Sequence, residues 1–233
     1  MRKNYGIGGA LIAALDGFSL SAERGDFVSI VGRSGSGKTT FLRIVAGLTE
    51  TTSGELSFGS GTGAAKIGMV FQEPRLMPWL TVEQNILFPF LRGPRASMPI
   101  ERSARFLGSL GLLPYRNAYP AQLSGGMAQR AALGRALCYE PEIILMDEPL
   151  GSLDYFTRRS LQDEILRLHM AENLTIFFVT HDVEEAIKLS RRVVVIDEGR
   201  KIGDIPIDLD FPRKQSDPGF ARKLDEILSL IVR

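Results

Sequence analysis

A glycine-rich run that ends in a lysine and two threonines is the part of this sequence best suited to chemistry. Its residues are Gly32, Arg33, Ser34, Gly35, Ser36, Gly37, Lys38, Thr39 and Thr40. The glycines let the backbone turn until several N–H groups point inward, and the positive end of a following helix strengthens that anion site. Lys38 would reach the β- and γ-phosphates of a nucleotide, and the Thr39 hydroxyl would ligate Mg²⁺. The run therefore predicts a site for a nucleoside triphosphate.

Two adjacent acidic residues form a second group suited to chemistry. Asp147 and Glu148 follow the apolar run 143–146, and charge at the end of a buried strand usually serves a cation or a phosphate. Asp147 would hold Mg²⁺, directly or through water, while Glu148 would polarise the water that attacks the γ-phosphate. A solvated turn after the strand is the alternative, and the phosphate-binding run makes it the weaker one.

A second helix start also suits an anion. Leu123, Ser124, Gly125 and Gly126 precede a helical pattern, so a hydroxyl, backbone N–H groups and a helix dipole would meet there. A bare Ser-Gly-Gly is more often a flexible turn. Two such helix starts in one chain suggest that the second serves the nucleotide of a neighbouring subunit.

Short apolar runs with helical stretches between them must position these groups. The candidates are residues 27–31, 67–71, 143–146, 176–179 and 193–196. Such runs are typical of buried parallel strands in an α/β sheet. Residues from about 81 to 140 carry no strand-like run, and 101–112 and 126–138 have a helical pattern, so we expect a helical insertion there. After Asp217-Pro218 we expect a further helix, docked on the sheet by one apolar face.

Composition and charge limit the classes of function. A chain of 233 residues can bury a sizeable core, and its net charge of +1, with no long basic block, does not call for nucleic acid as a partner. The single cysteine, Cys138, excludes an internal disulfide and is expected as a buried, reduced thiol. No apolar run approaches the roughly 18 residues of a membrane span, so any role at a membrane is expected to be peripheral.

Ordered motifs along nearly the whole chain resemble those of the ATP-binding subunits of ABC transporters. Residues 32–39 resemble the Walker A loop, and 143–147 the Walker B strand. Residues 123–127 resemble the signature, although Met127 stands where glutamine is most common. Gln72 resembles the Q-loop glutamine. The motifs that complete the set are a D-loop that ends at Asp154 and a switch histidine, His181.

The resemblance implies an α/β P-loop ATPase core with a mostly parallel sheet, an antiparallel β subdomain and a helical subdomain at about 81–140, all in one domain, 1–233. It implies ATP and Mg²⁺ as cofactors. Gln72 would sense Mg²⁺ and the γ-phosphate, His181 would contact the γ-phosphate, and Tyr5 is the best candidate for the ring that stacks on adenine. For His181 taken alone, a satisfied strand-end histidine is the simpler interpretation, and His169 is expected to be a surface residue without a site.

The same resemblance implies partners. Two chains would face head to tail, with each ATP between one Walker A loop and the other chain's signature. The segment 71–85 is similar to the branch that serves importers of nitrate, sulfonates and taurine. This implies membrane permease subunits, an indirect link to a substrate-binding protein, and a place on the cytoplasmic face of the membrane. We expect residues 73–90 to contact the permease, the alternative being that their apolar side chains form local core.

Three other classes of protein compete with this interpretation. A soluble ABC-type ATPase for DNA repair or translation usually needs long coiled coils or two tandem ATPase units, which this sequence lacks. A P-loop kinase for a small molecule would leave residues 123–126 and His181 unexplained. A non-catalytic nucleotide-binding module would not need both Lys38 and Glu148.

Overall fold

A six-stranded sheet forms the centre of the protein, whose computed structural model describes residues 1–7, 10–59, 65–91 and 99–232. Its strands are β3 (Phe27–Val31), β4 (Ile67–Val70), β5 (Ile143–Asp147), β6 (Thr175–Thr180), β7 (Arg192–Asp197) and β8 (Arg200–Pro206). They are ordered β4-β5-β6-β3-β7-β8, and only β8 is antiparallel to its neighbour. The five predicted strands are confirmed. No apolar run indicated β8, because it is an edge strand with mostly exposed residues.

A separate antiparallel pair confirms the expected β subdomain. It consists of β1 (Lys3–Ile7) and β2 (Ala10–Leu15). The residue after β2, Asp16, donates its backbone N–H to Gly199 O in the turn between β7 and β8 at 2.9 Å. The small sheet is thereby attached to the central one.

Helices cover both faces of the central sheet. They are α1 (Lys38–Val45), α2 (Val82–Ile86), α3 (Ile100–Ser109), α4 (Gly125–Cys138), α5 (Tyr155–Glu172), α6 (Val183–Leu189) and α7 (Pro218–Ile231). Helix α3 ends three residues before the predicted boundary, because Gly111 has a left-handed φ of 65° and turns the chain. The described residues between 81 and 140 contain α2, α3, α4 and short 3₁₀ turns, but no strand.

Strand periodicity divides the core between the two faces. In β5, Ile144 and Met146 pack with residues of α4 and α5, whereas Leu145 packs with residues of α1. Successive side chains of a strand point to opposite faces. Both faces of the central strands are therefore apolar, as their continuous hydrophobic runs predicted.

The C-terminal helix α7 begins as predicted, with the Asp217 carboxylate accepting the N–H of Gly219 at 2.7 Å. Phe220 and Ile227 are buried against a cluster that includes residues of α6 and β7. Within the described residues, no helix is long and apolar enough to cross a membrane.

The expectation that His169 lies on the surface is wrong. Its ring is buried, with Nδ1 2.9 Å from Leu174 O and an edge contact to Phe27. The reason is that Asn173, in the left-handed conformation, turns the chain from α5 directly back into β6. Burial lowers the pKa of His169.

Candidate active site

The carboxyl ends of four neighbouring parallel strands gather most of the candidate residues. The glycine-rich loop 32–37 follows β3, Gln72 follows β4, Asp147 ends β5 with Glu148 after it, and His181 follows β6. The four strands lie side by side in the order β4-β5-β6-β3. Ligands of open α/β sheets bind at this edge. Residues from distant parts of the sequence therefore converge on one crevice.

Close backbone approaches explain two of the three glycines of the loop, Gly32 and Gly37. Gly37 has φ 105°, and a Cβ there would lie 2.3 Å from Ala14 O. A Cβ on Gly32 would lie 2.1 Å from Ile196 O. Side chains at either position would push the loop away from the strands that hold it, so the loop geometry depends on both glycines.

Lys38 is turned into the loop. Its Nζ donates to the carbonyl oxygens of Gly32 and Arg33, each at 2.8 Å, and the residue is 5% exposed. Burial lowers the pKa of Lys38, while the nearby carboxylates of Glu148 and Asp147 act in the opposite direction. The ammonium group is thus held between the loop and the acidic strand end, where a phosphate oxygen would meet it.

The loop also contains a polar atom that lacks a partner. The hydroxyl of Ser36 is buried and has no hydrogen bond within the described parts of the chain. Buried polar groups are almost always paired, so such an atom calls for an explanation. A phosphate oxygen would accept its proton, and the loop therefore fits a bound nucleotide.

Thr39 and Asp147 form a pair of oxygen ligands. Thr39 Oγ1 donates to Asp147 Oδ1 at 3.1 Å, which joins the first turn of α1 to the end of β5. Burial raises the pKa of Asp147, and the bond from Thr39 opposes that rise. Hydroxyl and carboxylate oxygens suit Mg²⁺, which usually takes its other ligands from phosphates and water. The described residues accordingly include no group of three or more His, Cys, Asp or Glu side chains that would hold a metal without such help.

Glu148 and His181 meet across the crevice. His181 Nδ1 lies 3.0 Å from Glu148 Oε2. Glu148 has a left-handed φ of 47°, a conformation that is uncommon outside glycine and is often found at functional sites. Gln72 lies beside them, because a Cβ placed on Gly151 would be 3.5 Å from Gln72 Nε2 and 4.0 Å from Glu148 Oε2.

The signature segment begins α4 and packs on the start of α5. The Ser124 hydroxyl accepts the N–H of Met127 at 3.3 Å and caps the helix. A Cβ on Gly126 would lie 2.2 Å from Thr157 Cγ2, so a larger residue would separate the two helix starts. The Asp154 carboxylate caps α5 through the N–H groups of Phe156 and Thr157, both at 3.1 Å. The Met127 side chain packs against the core.

Two polar residues of α4 that the sequence did not single out hold the Q-loop. Gln129 Nε2 donates to Phe71 O, and the Arg135 guanidinium donates to Pro74 O and Arg75 O, all at 2.8 Å. These carbonyls flank Gln72 on both sides. The signal in the sequence is that these two residues, together with Arg130, are the polar side chains of a helix otherwise rich in small and apolar residues.

Asn85 is a second residue that sequence reasoning missed. It is fully buried, its Oδ1 accepts the N–H of Met77 at 2.7 Å, and its Nδ2 lies 3.0 to 3.1 Å from the carbonyls of Met77, Leu80 and Thr81. One amide thus holds the whole loop 77–81 in a single shape. The sequence gives little signal for this role, because Asn85 follows two other polar residues, Glu83 and Gln84, in the short helix α2.

Tyr5 lies in β1, opposite Ile12 of β2. Its ring is half-buried, and Lys3 Nζ lies 5.0 Å from the ring centroid. The ring therefore belongs to the small antiparallel sheet, whose second strand ends beside the phosphate loop.

A glycine-rich phosphate loop, an acidic strand end and a parallel sheet define a P-loop ATPase. The family model described as ABC transporter matches residues 15–151. The chain belongs to this family.

Relatives and a solved structure agree with that assignment. The chain is 44% identical to the aliphatic sulfonates import ATP-binding protein SsuB 1 of Burkholderia lata, over 94% of this chain and 67% of the relative. It is 44% identical to SsuB 2 of Rhizobium johnstonii, over 92% of this chain and 84% of the relative. The dimeric, post-hydrolysis structure of the ATP-binding cassette MJ0796 with ADP and Pi superposes with a TM-score of 0.79 at 32% identity, covering 90% of this chain and 97% of that one.

Proposed function

We propose that this chain is the ATP-hydrolysing subunit that powers an ABC importer for a small solute of the nitrate, sulfonate or taurine kind. The observation that carries the proposal is the convergence of the phosphate loop, the acidic strand end and His181 in one crevice. The solute class comes from the segment 71–85, and the 44% identity to two sulfonate import ATP-binding proteins supports the sulfonate member of that class. A soluble ABC-type ATPase that is not coupled to transport is the less favoured alternative.

The phosphate loop would bind the ATP phosphates. Lys38 would leave the loop carbonyls for the β- and γ-phosphates, and Ser36 would donate its unpaired hydroxyl proton. Tyr5 would stack on the adenine. The other loop residues that would line the phosphates are Gly32, Arg33, Ser34, Gly35, Gly37, Thr39 and Thr40.

Thr39 and Asp147 would hold Mg²⁺, with Gln72 as a further oxygen ligand. When bound, Mg²⁺ would neutralise charge on the β- and γ-phosphate oxygens. The Thr39–Asp147 bond is 3.1 Å long, and both oxygens would have to exchange this bond for the ion. The carboxylate of Asp147 has to be ionised for this role.

Glu148 would accept a proton from the attacking water, and His181 would hold Glu148 and contact the γ-phosphate. The contact of 3.0 Å between them places an imidazole nitrogen and a carboxylate oxygen next to the acidic strand end. A correctly placed carboxylate of this kind contributes about 100- to 10,000-fold to a rate by general base catalysis.

A second copy of the chain would complete each site. Ser124, Gly125 and Gly126 offer a helix N-terminus with a hydroxyl, and they lie beside the D-loop residue Asp154 at the start of α5. A head-to-tail dimer would bring this surface to the partner's ATP. The dimeric state of the related cassette supports this arrangement.

The segment 73–90 would contact permease subunits. Trp79 is 69% exposed and Phe88 41% exposed, so their rings are unlike local core. Phe88 also lines a largely apolar cavity of about 480 Å³, together with residues that include Met69, Phe71 and Met77. The cavity adjoins the Q-loop, so a permease segment bound there would sense the state of the phosphate site.

The remaining assignments follow from this role. The chain would form one ABC ATPase domain, 1–233, in which about 81–140 is the helical subdomain. It would lie peripherally on the cytoplasmic face of the membrane. A substrate-binding protein would act on it only through the permease, and no nucleic acid would be involved.

Uptake by the assembled transporter tests the proposal. The chain is produced with a candidate permease and binding protein, reconstituted in vesicles, and supplied with ATP and a labelled aliphatic sulfonate, taurine or nitrate. We expect ATP-dependent uptake of one of these solutes. Glu148→Gln should abolish the uptake, whereas the control Glu172→Gln, at the C-terminal end of α5, should leave it intact. Hydrolysis that no permease stimulates, together with no uptake, would favour the soluble ATPase.

A further inference from the structure

A cluster of mostly buried polar side chains lies against the segment that carries His181. The Glu185 cluster consists of Gln162, Thr180, Glu185 and Lys188. The Thr180 hydroxyl donates to Glu185 Oε2 at 2.7 Å, and Gln162 Nε2 donates to Glu185 Oε1 at 2.9 Å. Lys188 Nζ donates to Gln162 Oε1 at 2.9 Å. The cluster therefore joins β6, α5 and α6.

The donors of the Glu185 cluster have one consistent arrangement. Lys188 has only donors, so Gln162 must turn its oxygen to Lys188 and its NH₂ group to Glu185. The Thr180 oxygen accepts the N–H of Asp182 at 3.0 Å, and its own proton is directed to Glu185. Both oxygens of Glu185 are therefore acceptors. A carboxylate fills that role, and an amide of the same shape does not.

Glu185 bonds to the residue on each side of His181. Its side chain accepts from Thr180, and its backbone N–H donates to Asp182 Oδ1 at 3.1 Å. The His181 side chain itself is 65% exposed and has little packing of its own. Its position opposite Glu148 therefore depends on how its backbone is held.

We propose that Glu185 is a positioning residue for His181. Its carboxylate links Thr180 to Gln162 of α5, and the Thr180 hydroxyl oxygen in turn accepts the N–H of Asp182, so Glu185 keeps His181 Nδ1 within reach of Glu148. Glu185 contacts no atom that would react. The consequence for turnover rests on the proposed function, because it requires His181 to take part in hydrolysis, whereas the consequence for the geometry of His181 does not.

NMR spectroscopy of the full chain tests the geometry directly. The sequence has only two histidines, so the imidazole resonances of His181 are observed beside those of His169, which serve as an internal reference. Glu185→Gln preserves the shape and replaces one acceptor with a donor. We expect the His181 resonances to move and the His169 resonances to stay. Unchanged His181 resonances in the folded variant would overturn the proposal.

Glu164→Gln is the matched control. Glu164 is also buried and lies on α5, like Gln162. It pairs with Arg130 of α4 at 3.0 Å rather than with a neighbour of His181. We expect its replacement to leave the His181 resonances in place. A shift as large as that of Glu185→Gln would mean that any buried glutamate of this region has the effect, and the positioning role would be refuted.

Thr180 supplies a second test that does not depend on the folding of Glu185→Gln. Thr180→Ser keeps the hydroxyl, while Thr180→Val removes it and retains a β-branched shape suited to a strand. We expect the valine variant to move the His181 resonances and the serine variant to leave them. Equal effects of the two would overturn the proposal.

Steady-state hydrolysis by the assembled transporter completes the test. Glu185→Gln should lower kcat about tenfold with KM changed by less than about twofold, as expected for a misplaced catalytic group. Adding Glu185→Gln to His181→Gln should cause no further loss, and a further loss would contradict the proposal. If His181→Gln alone leaves kcat unchanged, the hydrolytic role of His181 fails, and the NMR result still decides whether Glu185 positions it.

Discussion

His181 Nδ1 lies 3.0 Å from Glu148 Oε2, although 33 positions separate the two residues in the sequence. The contact depends on the pairing of β5 with β6, in which Asp147 lies opposite Val179. Glu148 donates its N–H to Val179 O at 2.9 Å while its own backbone is left-handed. Strain of this kind persists only where neighbouring structure holds it. The register between β5 and β6 therefore brings the Glu148 and His181 side chains together.

Replacing Glu148 with glutamine should separate ATP binding from hydrolysis. The amide keeps the shape but cannot accept a proton from water, so turnover should fall by about 100-fold or more while ATP traps a dimer. Size-exclusion chromatography with Mg-ATP and an ATPase assay measure the two effects. Glu172→Gln serves as the control. Hydrolysis at the parent rate would remove Glu148 from the mechanism.

Mixing two inactive variants should restore activity if the sites are composite. Lys38→Ala damages the phosphate loop and Ser124→Arg damages the signature. In a homodimer of either variant, both ATP sites are therefore damaged. A mixed dimer retains one intact pair. The ATPase rate of the assembled transporter is measured against the mixing ratio, and no recovery at any ratio would indicate that each chain works alone.

Cysteines introduced between positions 77 and 88 should crosslink to the copurified permease. Trp79 and Phe88 are the exposed positions to replace first, and Met170, 54% exposed on α5, is the control. The native Cys138 is buried and contributes little background. We expect yields that change with ATP. Efficient links from Met170 and none from 77–88 would refute the assignment of the permease contact.

Asn85→Asp should destabilise the protein by about 2 to 3 kcal/mol, because a carboxylate would face three carbonyl oxygens in a buried position. Gln84→Glu is the matched change on the same helix. Within the described ranges the Gln84 side chain bonds through its oxygen alone, which accepts the N–H of Thr81 at 2.9 Å, so the acid should be tolerated. Urea unfolding measures both. Equal stability of the two variants would contradict the role assigned to Asn85.

Cys138 should make stability fall in alkali. Burial raises the pKa of its thiol from 9.0 to about 11, so the unfolded chain loses this proton at a lower pH than the folded chain. The stability that depends on the protonated thiol is present below pH 9 and is lost as the pH rises through about 11. Unfolding in urea between these pH values should show a slope that Cys138→Ala reduces. Identical slopes would show that the thiol does not contribute.

The sequence by itself determined five of the six central strands, the phosphate loop and the class of the protein. Residues 27–31 are buried on both faces, so their continuous apolar run was sufficient to predict β3. The spacing of Gly32 and Gly37 before Lys38 indicated an anion loop, because such a loop needs glycines at positions that neighbours approach closely. These features are local, and local patterns of burial and backbone freedom are directly visible in a sequence.

Only the tertiary structure decided which polar side chains meet. The partners of Asn85, Gln129 and Glu185 could not be read from the sequence, and His169 was expected on the surface although it is buried. Each of them is defined by partners contributed by other segments, such as Phe71 O for Gln129. Periodicity reports which face of an element is buried, whereas a hydrogen bond requires two atoms within about 3 Å. That distance is set by how strands and helices pack, so it exists only in the folded chain.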